Sequence, residues 1–299
     1  MVGCKRAGIV GAVLLAVGCG GSERPAPPDE DDDGDGGEQP SVPIVPRGET
    51  NELPLTTTLE DGVADVQVVP IRFEGQDAWF ALDTGAPMTF LFSDPDGPEY
   101  VPEAGTIEIG SETWTVPGYR DDAIGVEYFE DKAILGILGI DFFAEGPTEL
   151  DYPGGRIVRW LRGAPSTEGA ASVPLHGLEH DRPLVDVVID DTPLTMMLDT
   201  GAHDTIWLGV TGDADDQLAQ VQTADGKIWD VYVGDGRVEF PGERERLVPV
   251  LRALDIGYIK PELDEIGAQG LLGLTALGWR KVVFDFPAGE LALFPLTNP

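Results

Sequence analysis

Two stretches of this chain, AWFALDTGAPMTFLF (residues 78–92) and MMLDTGAHDTIWL (residues 196–208), place the same Asp-Thr-Gly-Ala behind the same apolar approach. Aligned on that tetrapeptide, VPIRFEGQDAWFALDTGA (69–86) lies over VDVVIDDTPLTMMLDTGA (185–202) without a gap. Each copy reads as strand, polar turn, strand and acidic loop, the turns being Glu74-Gly75-Gln76-Asp77 and Asp190-Asp191-Thr192-Pro193. Farther upstream, Leu53-Pro54-Leu55 lies over Val173-Pro174-Leu175 once a four-residue difference is allowed. Downstream, GILGIDFFAEGPTELDYPGGRIV (136–158) lies over GLLGLTALGWRKVVFDFPAGELA (270–292). There Asp151 and Asp285 open Asp-aromatic-Pro-x-Gly, a composition suited to hairpin turns. The offset grows from 116 to 134 between the two blocks, so the second half carries 18 extra residues. They include VQTADGKIWDVYV (221–233), which reads as a β-hairpin turning at Asp225-Gly226. A unit of about 120 residues is too long for a solenoid repeat. Two β-rich copies in one chain predict an all-β protein of two tandem lobes about a pseudo-two-fold axis, the covalent form of a C2 dimer. Lobe boundaries fall at 52–163 and 171–299, and the short link at Ser166–Ala171 suits pairing within one chain, hence a monomer.

A buried strand does not ordinarily end on an unpaired carboxylate. Two such strands brought to one axis set Asp83 against Asp199. Carboxylates at contact distance cannot both ionise, so the pair shares one proton. A carboxylate beside a carboxylic acid can then act as base and acid at one point. That chemistry needs no metal and no other cofactor.

The doubled apolar-apolar-Asp-Thr-Gly-Ala, each followed by Gly-apolar-apolar-Gly, resembles the aspartic peptidases and especially their retropepsin-like branch. Asp199-Thr-Gly-Ala-His-Asp-Thr-Ile is similar to the retroviral form, and the likeness spans roughly 52–162 and 171–297. It implies a peptide or protein substrate and hydrolysis by the Asp83/Asp199 pair. It also implies that Thr84 and Thr200 hydrogen-bond across the axis, while Gly85 and Gly201 let the backbone aim both carboxylates at one spot. Ala86 and Ala202 stand where pepsin-like relatives often carry a hydroxyl. Without that donor the ionised form is less stabilised, so the expected optimum is mildly acidic to near neutral. The hairpin at 221–233 is the expected flap, with Lys227, Trp229 and Tyr232 as candidate substrate contacts. The first half has no room for a matching flap, which predicts a lopsided site with one lid. The alternative is a catalytically silent relative that grips a peptide or protein without cutting it.

The rest of the sequence bears on location. Lys5 and Arg6, the apolar run AGIVGAVLLAV and then Gly18-Cys19 read as a secretory signal over residues 1–18. Leu15-Ala16-Val17-Gly18-Cys19 resembles the lipobox of bacterial lipoproteins, which implies lipidation of Cys19 and a membrane anchor in the cell envelope. With no cysteine beyond Cys19, the mature chain is expected to hold no disulfide. Residues 19–51 are rich in Pro, Gly and acids and read as a disordered, self-repelling tether. Asp31, Asp33, Asp35 and Gly36 match the start of a calcium loop, but Val42 occupies the twelfth position and prolines flank it. The net charge of −35 argues against nucleic acid and favours cationic ligands. His176-Gly-Leu-Glu179-His180 matches a zinc motif that requires a helix, and Gly177, Pro174 and Pro183 leave no helix there. His203, directly after the second motif, reads as a solvated loop residue within reach of substrate.

Overall fold

The polar turn in each copy closes a hairpin by the same device. Glu74 and Gly75 have φ of 48° and 79°, and Asp190 and Asp191 have φ of 48° and 64°. Two consecutive left-handed residues match the twist of the strands they join. The computed structural model describes residues 50–60, 63–92, 104–119, 127–129, 132–178, 182–213, 215–222, 227–257 and 259–296. The expected leader, Cys19, the expected tether up to residue 49, the calcium-like string and the Asp225-Gly226 turn lie outside these residues, whereas Thr50 and Asn51, expected in the tether, belong to the first strand, where Asn51 is buried and donates to Ile109 O at 2.8 Å. No helix among the described residues is long and apolar enough to cross a membrane.

The first half runs β1 (Thr50–Pro54), β2 (Thr56–Glu60), β3 (Val63–Phe73), β4 (Gln76–Leu82), β5 (Phe90–Phe92) and β6 (Ala104–Ile109). It continues with β7 (Glu112–Tyr119), β8 (Glu127–Phe129), β9 (Lys132–Leu138), α1 (Ile140–Ala144), β10 (Thr148–Asp151) and β11 (Arg156–Trp160). The second half runs β12 (Ala171–Pro174), β13 (Leu184–Ile189), β14 (Thr192–Leu198), β15 (Thr205–Leu208), β16 (Gln217–Gln222) and β17 (Ile228–Glu239). It ends with β18 (Arg246–Ala253), α2 (Ile259–Ile266), β19 (Gly270–Leu272), α3 (Leu274–Leu277), β20 (Lys281–Asp285) and β21 (Glu290–Leu293).

The protein is mostly β, with two closed six-stranded barrels. In the first, β3, β4, β9, β5, β7 and β6 pair in order, and β6 returns to β3 through Arg72↔Glu108 and Phe73↔Ile107. In the second, β13, β14, β19, β15, β18 and β17 pair in order, and β17 returns to β13 through Val188↔Glu239 and Ile189↔Val238. Closure removes the open strand edges that such short strands would otherwise expose. β16 lies outside the second ring, paired to β17 alone, and among the described residues the first half has no counterpart of it.

A third sheet, β1-β11-β10-β20-β21-β12, takes three strands from each half. Its middle pair is antiparallel, with Thr148↔Phe284, Glu149↔Val283, Leu150↔Val282 and Asp151↔Lys281. Leu55 N–H donates to Gly155 O at 2.9 Å, and Leu175 N–H donates to Gly289 O at 2.8 Å. The aspartates of the two Asp-aromatic-Pro-x-Gly turns accept from Gly154 N–H (2.9 Å) and Ala288 N–H (3.0 Å). The first element begins at Thr50, two residues ahead of the expected lobe boundary, because β1 is needed at the edge of this shared sheet.

One apolar core runs from both barrels into the shared sheet, joining Phe80, Leu82, Leu198, Leu272, Leu150 and Phe284. Phe143 bridges the halves, 5.4 Å from Phe284 and 6.0 Å from Phe286 between ring centroids. Two buried arginines close the ends of the short helices. Arg159 donates from Nε to Phe142 O at 2.9 Å and pairs with Glu112 and Glu145. Arg280 donates from Nε to Leu277 O at 2.9 Å and pairs with Glu243. Burying a guanidinium is tolerable only with such complete pairing. Phe284→Ala is expected to cost about 3–5 kcal/mol in urea unfolding, whereas Leu247→Ala, 66% exposed, should stay within about 0.5 kcal/mol.

Candidate functional site

The site begins with the strand that each acidic loop leaves. β4 runs parallel to β9 and β14 parallel to β19, so each Asp emerges beside its own Gly-apolar-apolar-Gly segment. Asp83 N–H donates to Leu138 O at 3.0 Å, and Asp199 N–H donates to Leu272 O at 3.1 Å. One turn later Ile140 N–H reaches Ala86 O (2.9 Å) and Leu274 N–H reaches Ala202 O (3.0 Å). Each loop is thereby pinned at both ends.

The two loops then lock to each other. Thr84 N–H donates to Thr200 Oγ1 at 3.0 Å, and Thr200 N–H donates to Thr84 Oγ1 at 3.0 Å. The Thr84 hydroxyl continues to Leu198 O at 2.8 Å. Asp83 Oδ1 accepts from Gly85 N–H (2.8 Å) and Ala86 N–H (3.1 Å). Asp199 Oδ1 accepts from Gly201 N–H (2.8 Å) and Ala202 N–H (3.1 Å). The glycines are required by proximity. A Cβ on Gly85 would lie 2.8 Å from Asp199 Cγ, and one on Gly201 would lie 2.5 Å from Asp83 Cγ.

Asp83 and Asp199 are each 1% exposed. Their remaining oxygens, Asp83 Oδ2 and Asp199 Oδ2, are buried without a donor from the protein. Burial pushes the Asp83 carboxyl well above the usual carboxylate range, and the Asp199 charge pushes it further. Burial raises Asp199 to about 6. A hydrogen bond with Asp83, the Gly201 and Ala202 N–H groups and the Arg182 charge all hold it down from going higher. A proton on Asp83 supplies the donor that the pair otherwise lacks, so the geometry and the titration agree on one shared proton. The arrangement can polarise a water and hydrogen-bond an oxygen at the same point.

Arg182 is a charged neighbour of the pair that the sequence reading missed. It directly precedes Pro183, whose carbonyl accepts from Leu198 N–H at 2.8 Å. The offset of 116 places Val66 at its counterpart, so an apolar residue in the first copy is replaced by a cation in the second. A lone arginine at a position where the other copy is apolar is the sequence signal that could have found it.

Lys227 is exposed just ahead of β17, and Trp229 is half-buried, packing on Gly257. Tyr232 sits over Gly212 and opposite Leu218 on the exposed face of the hairpin. His203 is half-buried rather than solvated, its Nδ1 2.9 Å from Asp204 Oδ1 and its ring 6.1 Å from that of Trp279. His176 makes an isolated β-bridge with Leu184, and Glu179 and His180 lie outside the described residues. Among the described residues no group of side chains could hold a metal ion. A cavity of about 460 Å³ opens between Leu194, Phe240 and Gln269, on the second barrel, and includes neither aspartate.

The carboxyl pair makes stability depend on pH. Both folded-state values lie above that of an unfolded aspartate, ~3.9. Their contribution is therefore fully present below about pH 4 and is lost as pH rises through about 6 and beyond. Asp83→Asn should raise the Tm at pH 8 while leaving it nearly unchanged at pH 4, read by thermal unfolding at both values. Compared with known proteins, the sequence matches no family model and no curated relative.

Proposed function

We propose that this chain is an aspartic endopeptidase of retropepsin-like build, its two lobes related by a pseudo-two-fold axis. The observation that carries the reading is the reciprocal Thr84/Thr200 lock with Asp83 and Asp199 buried beside it. The pseudo-symmetry is supported by the shared sheet. Under the offset of 134, Thr148↔Phe284 becomes Leu150↔Val282, and Glu149↔Val283 maps onto itself at the axis.

In the proposed reaction the ionised Asp199 takes a proton from a water held by the pair. The water oxygen bonds to the scissile carbonyl carbon while Asp83 gives its proton to the carbonyl oxygen. The tetrahedral diol then collapses. A hydroxyl proton returns to Asp83, the C–N bond breaks, and the proton on Asp199 goes to the leaving nitrogen. The protein thus ends with the one shared proton it began with. Ala86 and Ala202 offer only backbone N–H groups to the inner oxygens, which fits a carboxyl that titrates near 6. The leader-like residues 1–18 and the lipobox-like string ending in Cys19 support a lipid-anchored enzyme of the cell envelope.

Cleavage of a peptide library, with and without a transition-state-analogue inhibitor of aspartic peptidases, tests the reading. Asp83→Asn and Asp199→Asn should each lower kcat/KM by at least about 10²–10⁴-fold. Activity that survives either change removes the mechanism. The pH–rate profile should rise through about 6 as the pair loses its first proton and fall where it loses the second. A maximum near pH 2 would contradict it. The near-complete burial of both carboxyls favours a second reading, a binding module that does not cut. Saturable peptide binding with no cleavage between pH 4 and 8 would select it.

A further inference from the structure

The hairpin β16–β17 changes its allegiance partway along. Residues 228–231 of β17 pair only with β16, Tyr232 and Val233 pair with both neighbours, and Gly234 onward pairs with β18. The outer part is therefore a two-stranded arm, and Gly234 marks where it joins the closed barrel. Ala219, Val221 and Val231 on its inner face belong to the same apolar cluster as Ala202, Ile256 and Ile259. The arm thus shares a core with Ala202 of the second acidic loop, and both carboxyls are sealed from solvent.

At that junction lies Arg252, 2% exposed, on the strand opposite Tyr232. Its Nη1 donates to Asp216 Oδ2 at 3.2 Å and Oδ1 at 3.4 Å. Its Nη2 donates to Asp190 Oδ2 at 2.6 Å and Asp235 O at 3.5 Å. Asp216 is the residue before β16, the root of the arm. It also caps its own loop, accepting from Asp213 N–H at 2.8 Å. Asp190 belongs to the barrel, in the β13–β14 turn, where it accepts from Arg237 N–H at 2.9 Å. The guanidinium crosses the face of β17 where that face carries only Gly234 and Gly236. A Cβ on Gly234 would overlap the Asp216 carboxylate, and one on Gly236 would lie 3.4 Å from Arg252 Nη2. The first half, which shows no arm among its described residues, has Gly118 in the position of Arg252. The equivalent pairings are Leu91↔Gly118 and Trp207↔Arg252.

We propose that Arg252 is a positioning residue that bolts the root of the arm to the barrel, through Asp216 on one side and Asp190 on the other. The arm swings about Gly234 and Gly236, and the bolt holds it in the packed position. A peptide cannot reach carboxyls that are sealed unless covering segments move, so the bolt sets how often the site is open and how firmly the arm closes on substrate. The kinetic consequence rests on the peptidase reading, but the mechanical one does not.

Asp216→Ala unhooks the arm while leaving Arg252 paired with Asp190 in the barrel. In native-state hydrogen exchange of the full chain, amides of 217–222 and 228–233 should exchange about tenfold faster or more, with those of β10 and β20 unchanged. Asp216→Asn keeps an acceptor and should fall between. Gly234→Ala, which pushes the carboxylate off the guanidinium, should reproduce Asp216→Ala. On a cleaved peptide, Asp216→Ala should shift KM by about fivefold or more while kcat stays within about twofold. Unchanged exchange in the arm, or equal acceleration throughout the second barrel, overturns the proposal whether or not the protein cleaves peptides. Faster exchange confined to the arm supports it even if no peptide is cut.

Discussion

Two threonine side chains, each accepting from the other's backbone N–H, hold the centre of this protein together. Thr84 and Thr200 are fully buried, so each bond forms without competition from water, and loss of one partner strands a polar group in the core. The rest of the arrangement follows from that contact. It draws the loops so close that only glycine fits at 85 and 201, and it places two carboxyls in one dry volume. The raised titration of both aspartates is a consequence of this packing. Folding free energy keeps an ionisable pair where neither member is comfortable, a pattern found where local cost is tolerated for chemistry.

Much of this is legible because the chain says it twice. The gapless match over the strands before Asp83 and Asp199 marks the hairpins, and the offset of 134 marks the strands after them. Glu74-Gly75 and Asp190-Asp191 fall in the polar turns that the sequence marks, and their left-handed backbone is seen only in the structure. The six candidates flanking the dyad meet where the duplication says they should. The shared sheet is harder to see. β1 and β12 are short alternating segments, and periodicity does not reveal that they form the edges of a sheet built from both halves.

What stays hidden is where the copies have drifted apart. The spans between β7 and β9 and between β18 and β19 keep the same offset. One folds as strand β8 and the other as helix α2, whose Ile259 and Leu263 fill the cluster beneath the hairpin. Local propensity gives way here to what each barrel needs filled. Arg159, Arg252 and Arg280 read as surface charges in a chain so acidic, yet each is buried and fully paired. A long charged side chain does not announce its depth, because its carboxylate partners lie 14 to 62 residues away. Trp229, a candidate substrate contact, is half-buried against Gly257 of its own lobe.

The register of the middle strand pair also bears on how the halves came to need each other. Glu149 stands opposite Val283, and its carboxylate lies 3.6 Å from Lys281 Nζ and 3.7 Å from Arg156 Nη2. Were two first halves to associate with themselves, Glu149 would confront its own copy with Pro147 in place of that lysine. Such a pairing would set like charges opposite each other at the axis, whereas two second halves would set valine against valine. The seam is thus electrically lopsided, the first half supplying an acid that the second answers with Lys281.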